Sequence, residues 1–271
     1  WLEPWAIPAL ECRHQTGRLG IAAGWTFALR LATERRMSAP VTPSVSVVIT
    51  ARDAAATIGD AVRSALAEPE TAEVIVVDDA SRDATTAAAE AAAGGDGRLK
   101  VIRCAVNVGP AAARNRALEA ATGAFVAVLD ADDFLLPGRF ARLLAVPGWD
   151  MVADNILFVA ESASPAALPP LPPVTPALID IDLTGFVRAN RSARGAGRRE
   201  WGFLKPVMRR DFLDGHGLRY DEALRLGEDY DLYVRMLQKE QTRKLEKVRD
   251  QIWSLYRDLK LWKQKPSAKE A

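Results

Sequence analysis

Asp130, Asp132 and Asp133 follow directly on the apolar run Phe125–Leu129. That run has no helical spacing and reads as a strand buried on both faces. Three carboxylates crowded at its end repel one another and lose hydration, a cost that a divalent cation offsets. Carboxylate oxygens suit hard ions such as Mg²⁺ or Mn²⁺, which keep water and also bind phosphates. The spacing Asp130-Ala131-Asp132 lets one turn aim two carboxylates at a single ion. A solvated acidic turn capping the helix around Arg139–Leu144 would show the same residues.

Three other stretches carry similar chemistry. In Val77-Asp78-Asp79-Ala80-Ser81, a carboxylate at a strand end can accept hydrogen bonds from a base or a ribose. Ser81 or Asp83 capping the next helix is the simpler account of part of it. In Asn107-Val108-Gly109-Pro110…Arg114-Asn115, Gly109 permits a tight turn and Pro110 suits a first helical position. Arg114, a turn further on, offers a forked donor set for a phosphate or a base carbonyl, or is a surface charge on an alanine helix. Glu228 and Asp229, after Gly227, stand at a helix start that stabilises negative charge. They are either caps or a general base for a hydroxyl nucleophile with its partner. Asp231 reads as an exposed first-turn charge.

The elements that position these residues form a rhythm from Ser44 onward. Buried strands are predicted over 45–50, 73–78, 99–103 and 125–129, with helices over 54–67, 83–93 and 110–121 between them. Such alternation makes βαβ units and a parallel sheet, whose ligands lie beyond the C-terminal strand ends. Thr50, Asp53, Asp78, Asp79 and Asp130–Asp133 all fall there, as one acidic rim. Beyond it, 150–154 and 156–159 read as a strand pair, and 165–176 as a Pro- and Ala-rich loop. A short helix is predicted over 180–188, and a Gly- and Arg-rich mobile loop over 191–199. A strand then enters a helix over 206–213, and another helix begins at Glu228. Leu245, Val248, Ile252, Leu255, Leu259 and Trp262 recur at spacings of three and four, which predicts a long amphipathic helix with a basic polar side.

Composition bounds the rest. The 271 residues are 49% hydrophobic and 26% charged, ordinary for one large α/β domain with appendages. A net charge of +1 gives no electrostatic pull toward nucleic acid. Cys12 and Cys104 fit neither a metal spacing nor a disulfide framework, which points to a reducing compartment. No apolar run approaches the ~20 residues that span a bilayer. Residues 1–36 precede Met37-Ser-Ala-Pro and read as upstream or cloning-derived sequence, with a short helix over 21–31. The resulting division is an N-terminal extension over 1–43, a main domain over 44–237, and a basic helix and tail over 238–271.

Taken in order, Val45–Asp53, Asp78-Asp79, Asn107…Asn115, Asp130-Ala-Asp-Asp133 and Gly227-Glu-Asp229 resemble the motifs of the inverting family 2 glycosyltransferases. The likeness covers roughly 45–237, and it implies a nucleotide-binding half over 44–137 and an acceptor half over 138–237. The stretches around Trp201–Pro206 and His216–Leu232 are similar to bacterial exopolysaccharide (succinoglycan-type) glucosyltransferases. The resemblance implies a GT-A fold, a Rossmann-like, mostly parallel sheet flanked by helices, here with a C-terminal amphipathic helix. It implies that Thr50 and Asp79 contact a uracil-like base, with Asp78 behind them and Arg52, Asn107, Gly109, Arg114, Asp130 and Ala131 around the nucleotide-sugar. Asp130 and Asp132 would hold a Mn²⁺ or Mg²⁺ ion and its diphosphate, and Asp229 would be the base, with Glu228 its partner. Arg52 stands where the family commonly has tyrosine, and Asp53 where it has asparagine. The implied partners are a UDP-sugar donor and a glycan or lipid-linked acceptor, with no nucleic acid. The implied place is the cytoplasm. The basic helix departs from the family pattern: it either packs on the domain or self-associates, or its stretch 241–262 lies at the inner face of the plasma membrane, which its basic side and late Trp262 would suit. A catalytically impaired nucleotide-sugar-binding protein on the same fold is the alternative. The chain lacks the glycine-rich phosphate loop that a nucleotidyltransferase or a dinucleotide dehydrogenase needs after its first strand.

Overall fold

The computed structural model describes residues 19–21, 27–32, 43–154, 156–159, 177–190 and 204–258. The loops expected over 165–176 and 191–199, Trp201–Phe203 and the tail beyond Asp258 lie outside them. In chain order the elements are β1 (Leu19–Ile21), β2 (Phe27–Ala32), β3 (Val45–Ala51), α1 (Ile58–Ala67), β4 (Thr71–Asp78), α2 (Thr85–Ala93), β5 (Leu99–Arg103), α3 (Pro110–Ala120) and β6 (Phe125–Asp130). They continue as β7 (Phe134–Leu135), α4 (Arg139–Ala145), β8 (Trp149–Ala153), β9 (Leu157–Phe158), β10 (Ala177–Asp180), α5 (Leu183–Ala189), β11 (Val207–Arg209), α6 (Arg210–Gly215) and α7 (Glu228–Asp258).

An eight-stranded sheet runs β10-β2-β8-β11-β6-β3-β4-β5. The half β6-β3-β4-β5 is wholly parallel, and β11 pairs antiparallel with both β6 and β8. The parallel half owes its buried, continuous apolar strands to cover on both faces. Val47 and Ile49 face α1, α2 and α4, whereas Val48 faces the side of α3, α6 and α7. The same period-two split divides Val74 and Val76 from Ile75 and Val77. Alanines at 111, 113 and 117 let α3 lie close against the sheet.

Two departures from the sequence reading concern local pairing. The short helix predicted over 21–31 is replaced by strand, with Phe27–Ala32 lying between β8 and β10 in the large sheet. In Phe-Ala-Leu-Arg-Leu-Ala every second residue is a large apolar one, and a strand neighbour overrides helical propensity in so short a run. The predicted strand pair at 150–159 also separates: β8 joins the large sheet, while β9 pairs with β1 in a small sheet, β7-β1-β9. The helix that begins at Glu228 and the basic amphipathic helix are one element, unbroken through the expected boundary at 237/238.

Topology fixes where a ligand can sit. From β3 the chain steps outward to β4 and β5, then returns to β6 on the other side of β3. The crevice beyond the C-terminal ends of β3 and β6 is therefore a switch point, the favoured ligand position in such sheets. Thr50 pairs with Asp130 across it.

Candidate active site

Arg114, from the first turns of α3, is the centre of the site. Its side chain is 5% exposed, yet it carries a full charge among three carboxylates. Nη2 donates to Asp130 Oδ1 at 3.0 Å, Nη1 donates to Glu228 Oε1, and Asp229 Oδ1 lies 3.5 Å from Nη1. The guanidinium also lies 5.4 Å over the ring of Tyr220. Burial works against its charge, but Asp229, Asp130 and Glu228 outweigh it and hold Arg114 well above its ordinary pKa.

Lys205, just before β11, is the second buried cation. Its Nζ lies 2.7 Å from Asp130 Oδ2 and 3.1 Å from Asp229 Oδ2. Burial lowers the lysine pKa and the two carboxylates raise it further, so the ammonium stays charged. Asp130 is the mirror case: burial raises its pKa, while Lys205 and Arg114 bring it down to about 2. A buried charge is tolerable only where paired this closely. Asp229 Oδ1 and the Tyr220 hydroxyl are both buried and face one another. Burial and the Asp229 charge push the Tyr220 hydroxyl well above the ordinary tyrosine value.

The sheet and two helix starts thus bring Asp130, Glu228 and Asp229 together across about a hundred residues of chain. The first turn of α7 supplies Glu228 and Asp229, and its next turns lock it down through buried Leu232, Tyr233, Met236 and Leu237. Asn115 secures the facing segment: it accepts from Tyr220 N at 2.8 Å and donates to Tyr220 O at 2.9 Å. Asp231 pairs with Arg235 one turn on, at 2.6 Å, away from the cluster.

The acidic turn after β6 has the size of a cation site. Asp130, Asp132 and Asp133 each offer an oxygen, all within 4.8 Å of one another. Two ligands of one hard cation stand at most about 4–5 Å apart. The donor set is all carboxylate, as Mg²⁺ or Mn²⁺ prefers. Asp130 is the constrained member, because both its oxygens already face cations. Asp132 is exposed and Asp133 buried, so the turn presents one carboxylate outward and anchors one inward.

The remaining predicted residues fall into two groups. Thr50 and Arg52 border the crevice, with Arg52 exposed and 4.0 Å from Asp53. Asp78, Asp79, Asn107 and Gly109 join in local hydrogen bonds at the end of β4 and the start of α3. Asp78 accepts from Ser81 N at 2.9 Å and Thr86 Oγ1 at 2.7 Å. Asp79 accepts from Asn107 Nδ2, Val108 N and Gly109 N at 2.6, 2.7 and 2.9 Å, fastening the start of α3 to the end of β4. Gly109 has φ 89° and ψ 166°, a conformation open in practice to glycine alone. Ala131 packs into the core beneath the turn. The backbone above is strained at Asp53 and Ala80, with φ of 50° and 59°. The Asp53 turn is stitched to the next loop through Ser81, Arg82 and Asp83.

Sequence reasoning missed Lys205, Tyr220 and the backing role of Asn115. Lys205 had one legible signal: a lysine set between Leu204 and Pro206, directly ahead of the apolar Val207-Met208, has no room to be a surface charge. Behind it, Arg139 pairs with Asp154 at 2.7 Å, both fully buried, and donates to the Lys205 carbonyl.

The family model described as "Glycosyl transferase family 2" matches residues 46–159. The succinoglycan biosynthesis protein ExoU of Rhizobium meliloti (strain 1021) is 53% identical over 201 residues, covering 74% of this chain and 59% of the relative. ExoO of the same organism, also a succinoglycan biosynthesis protein, is 40% identical over 205 residues, covering 72% and 56%. The chain therefore spans somewhat over half the length of these relatives. Among solved structures, S. aureus TarS 1-349 in complex with UDP aligns at a TM-score of 0.47 and 18% identity, over 72% of this chain and 55% of that one.

Proposed function

Residues 46–159 of the chain are a glycosyl transferase family 2 domain, and from that premise we propose that the protein moves a sugar from a UDP-sugar to a hydroxyl of a glycan or lipid-linked saccharide, with inversion, in exopolysaccharide assembly. The observation that carries the reading is the meeting of Asp130 with Glu228 and Asp229 on two buried cations, at the switch point of a GT-A sheet. The similarity to ExoU and ExoO supports the exopolysaccharide assignment.

The residues divide the work. Asp132, Asp133 and Asp130 would hold the divalent cation, which when bound would neutralise charge on the departing diphosphate. Thr50 and the backbone around Asp79 border the space for the base and ribose. Asp229 takes the proton of the acceptor hydroxyl as its oxygen attacks the anomeric carbon. The bond from that carbon to the β-phosphate oxygen breaks, and the leaving diphosphate keeps the electron pair. Attack opposite the leaving group in one displacement inverts the carbon. Glu228, held by Arg114, fixes the helix start from which Asp229 projects.

Peripheral contact with an anionic membrane from the cytoplasmic side, through 241–262, belongs to the same reading. Leu245 and Val248 are exposed on α7 beside Lys244 and Lys247, and no described helix is long and apolar enough to cross a bilayer. Vesicle sedimentation with and without 241–271 tests it.

The central experiment measures release of UDP from UDP-sugars with Mn²⁺, with and without a glycan acceptor. Asp229→Asn should abolish turnover and spare nucleotide binding. Near-normal turnover of that variant would remove Asp229 as the base, and binding without turnover by the parent would favour the impaired binding protein instead.

A further inference from the structure

Lysine is among the residues least often buried, and Lys205 is 4% exposed. Its ammonium nevertheless has two carboxylates in reach, at 2.7 and 3.1 Å, from different regions of the chain. One is Asp130, at the end of β6 on the cation side of the crevice. The other is Asp229, in the first turn of α7. We propose that Lys205 is a positioning residue that ties the donor-side carboxylate Asp130 to the base Asp229, so that the two halves of the site keep one fixed separation. This rests on the function proposed above and deepens it.

Three features make Lys205 a fixed post. Pro206 restricts its backbone to an extended form, directly ahead of β11. β11 is hydrogen-bonded on both edges, to β6 and β8. Its carbonyl is held by Arg139, whose own charge is anchored by Asp154. The ammonium thus hangs from the middle of the sheet, and its reach to Asp130 crosses only one strand spacing. The same contact has a consequence for a cation. Nζ occupies Asp130 Oδ2, so Asp130 serves the cation site only in competition with Lys205, and most of the cation's hold falls to Asp132 and Asp133.

Two measurements test the assignment. The first uses UDP-glucose and Mn²⁺, with water or a glycan as acceptor. Lys205→Met should lower kcat about 100-fold while changing the KM for UDP-glucose less than threefold. Lys205→Ala should regain at least tenfold in kcat with n-propylammonium and nothing with 1-propanol, since only the amine restores the charge. The second needs no turnover: free Mn²⁺ followed by electron paramagnetic resonance should show Lys205→Met binding the ion at least threefold more tightly than the parent. An unchanged Mn²⁺ affinity, a kcat within threefold of the parent, or equal response to amine and alcohol would each overturn the proposal. Should a variant prove too unstable to assay, a rise in its melting temperature with n-propylammonium but not with 1-propanol supports the same post, and equal rises refute it. If the parent releases no UDP, the proposed function fails, while the Mn²⁺ measurement still decides the role of Lys205.

Discussion

Replacing Arg114 by methionine isolates the charge at the centre of the site. Methionine keeps much of the side-chain volume, so the fold of α3 should survive. Glu228, Asp229 and Asp130 then keep only Lys205 among them. The Asp130 carboxyl, lowered from 3.8 to about 2 by Lys205 first and then Arg114, carries roughly 2 kcal/mol at 1.36 kcal/mol per pH unit, shared between the two cations. Glu228 and Asp229 add to this, and breaking buried ion pairs by removing one partner costs about 3–5 kcal/mol. We expect Arg114→Met to lose about 3–4 kcal/mol at pH 7, read by urea denaturation. The sign with pH follows from linkage. A carboxyl with a depressed folded pKa stabilises the fold above its unfolded value and loses that contribution as pH falls through the folded value. The gap between parent and variant should therefore be full at pH 7 and narrow from about pH 4 down to about pH 2. Adding Glu228→Gln to the variant should recover part of the loss, because removing both partners costs less than orphaning one. A loss under about 1 kcal/mol at pH 7, or the same loss at pH 7 and pH 3, would refute the reasoning.

Other predictions concern residues away from that centre. Glu73 belongs to β4, with its side chain buried; burial raises its pKa, but Lys100, Ser46 and Thr122 bring it from 4.5 to about 2. Its contribution, roughly 3 kcal/mol by the same conversion, should be present above about pH 4.5 and vanish toward pH 2. Denaturation at both pH values should show that component in the parent and not in Glu73→Gln. Gly109→Ala should cost about 1–3 kcal/mol of stability, seen as a lower melting temperature. Its added Cβ would stand 2.0 Å from Arg225 Nη1, and adding Arg225→Ala should relieve that clash but not the backbone strain. Asp132→Ala should remove the rise in melting temperature that Mn²⁺ produces in the parent.

The parallel half of the fold was legible because its strands are buried on both faces and so read as unbroken apolar runs. β3, β4, β5 and β6 stand within two residues of where periodicity put them. What the pattern did not carry was pairing. β8 and β9 look alike in sequence and sit next to each other in the chain, yet they join different sheets, and no local signal encodes that choice. For the site, the carboxylates were visible because acids at the end of a buried strand are costly without a reason. Their cations were harder to read. Arg114 was expected to reach a base or a phosphate and instead faces inward to three acids, because a helix of alanines brings it flat against the sheet. Lys205 was passed over because lysine is so often a solvated charge, and only the neighbouring Pro206 and β11 reveal otherwise. Asp79 and Asn107 read as nucleotide contacts, while their hydrogen bonds go first to each other.

The charge cluster sits on regular elements: the end of one strand, the approach to another, and the opening turns of two helices. Of its members only Lys205 stands outside a helix or strand, two residues ahead of β11. Changes in the surrounding loops can therefore alter which sugar or acceptor is admitted while leaving the reactive arrangement intact. One chassis of this kind can be retuned for successive steps of a polymer's assembly by exchanging its periphery alone.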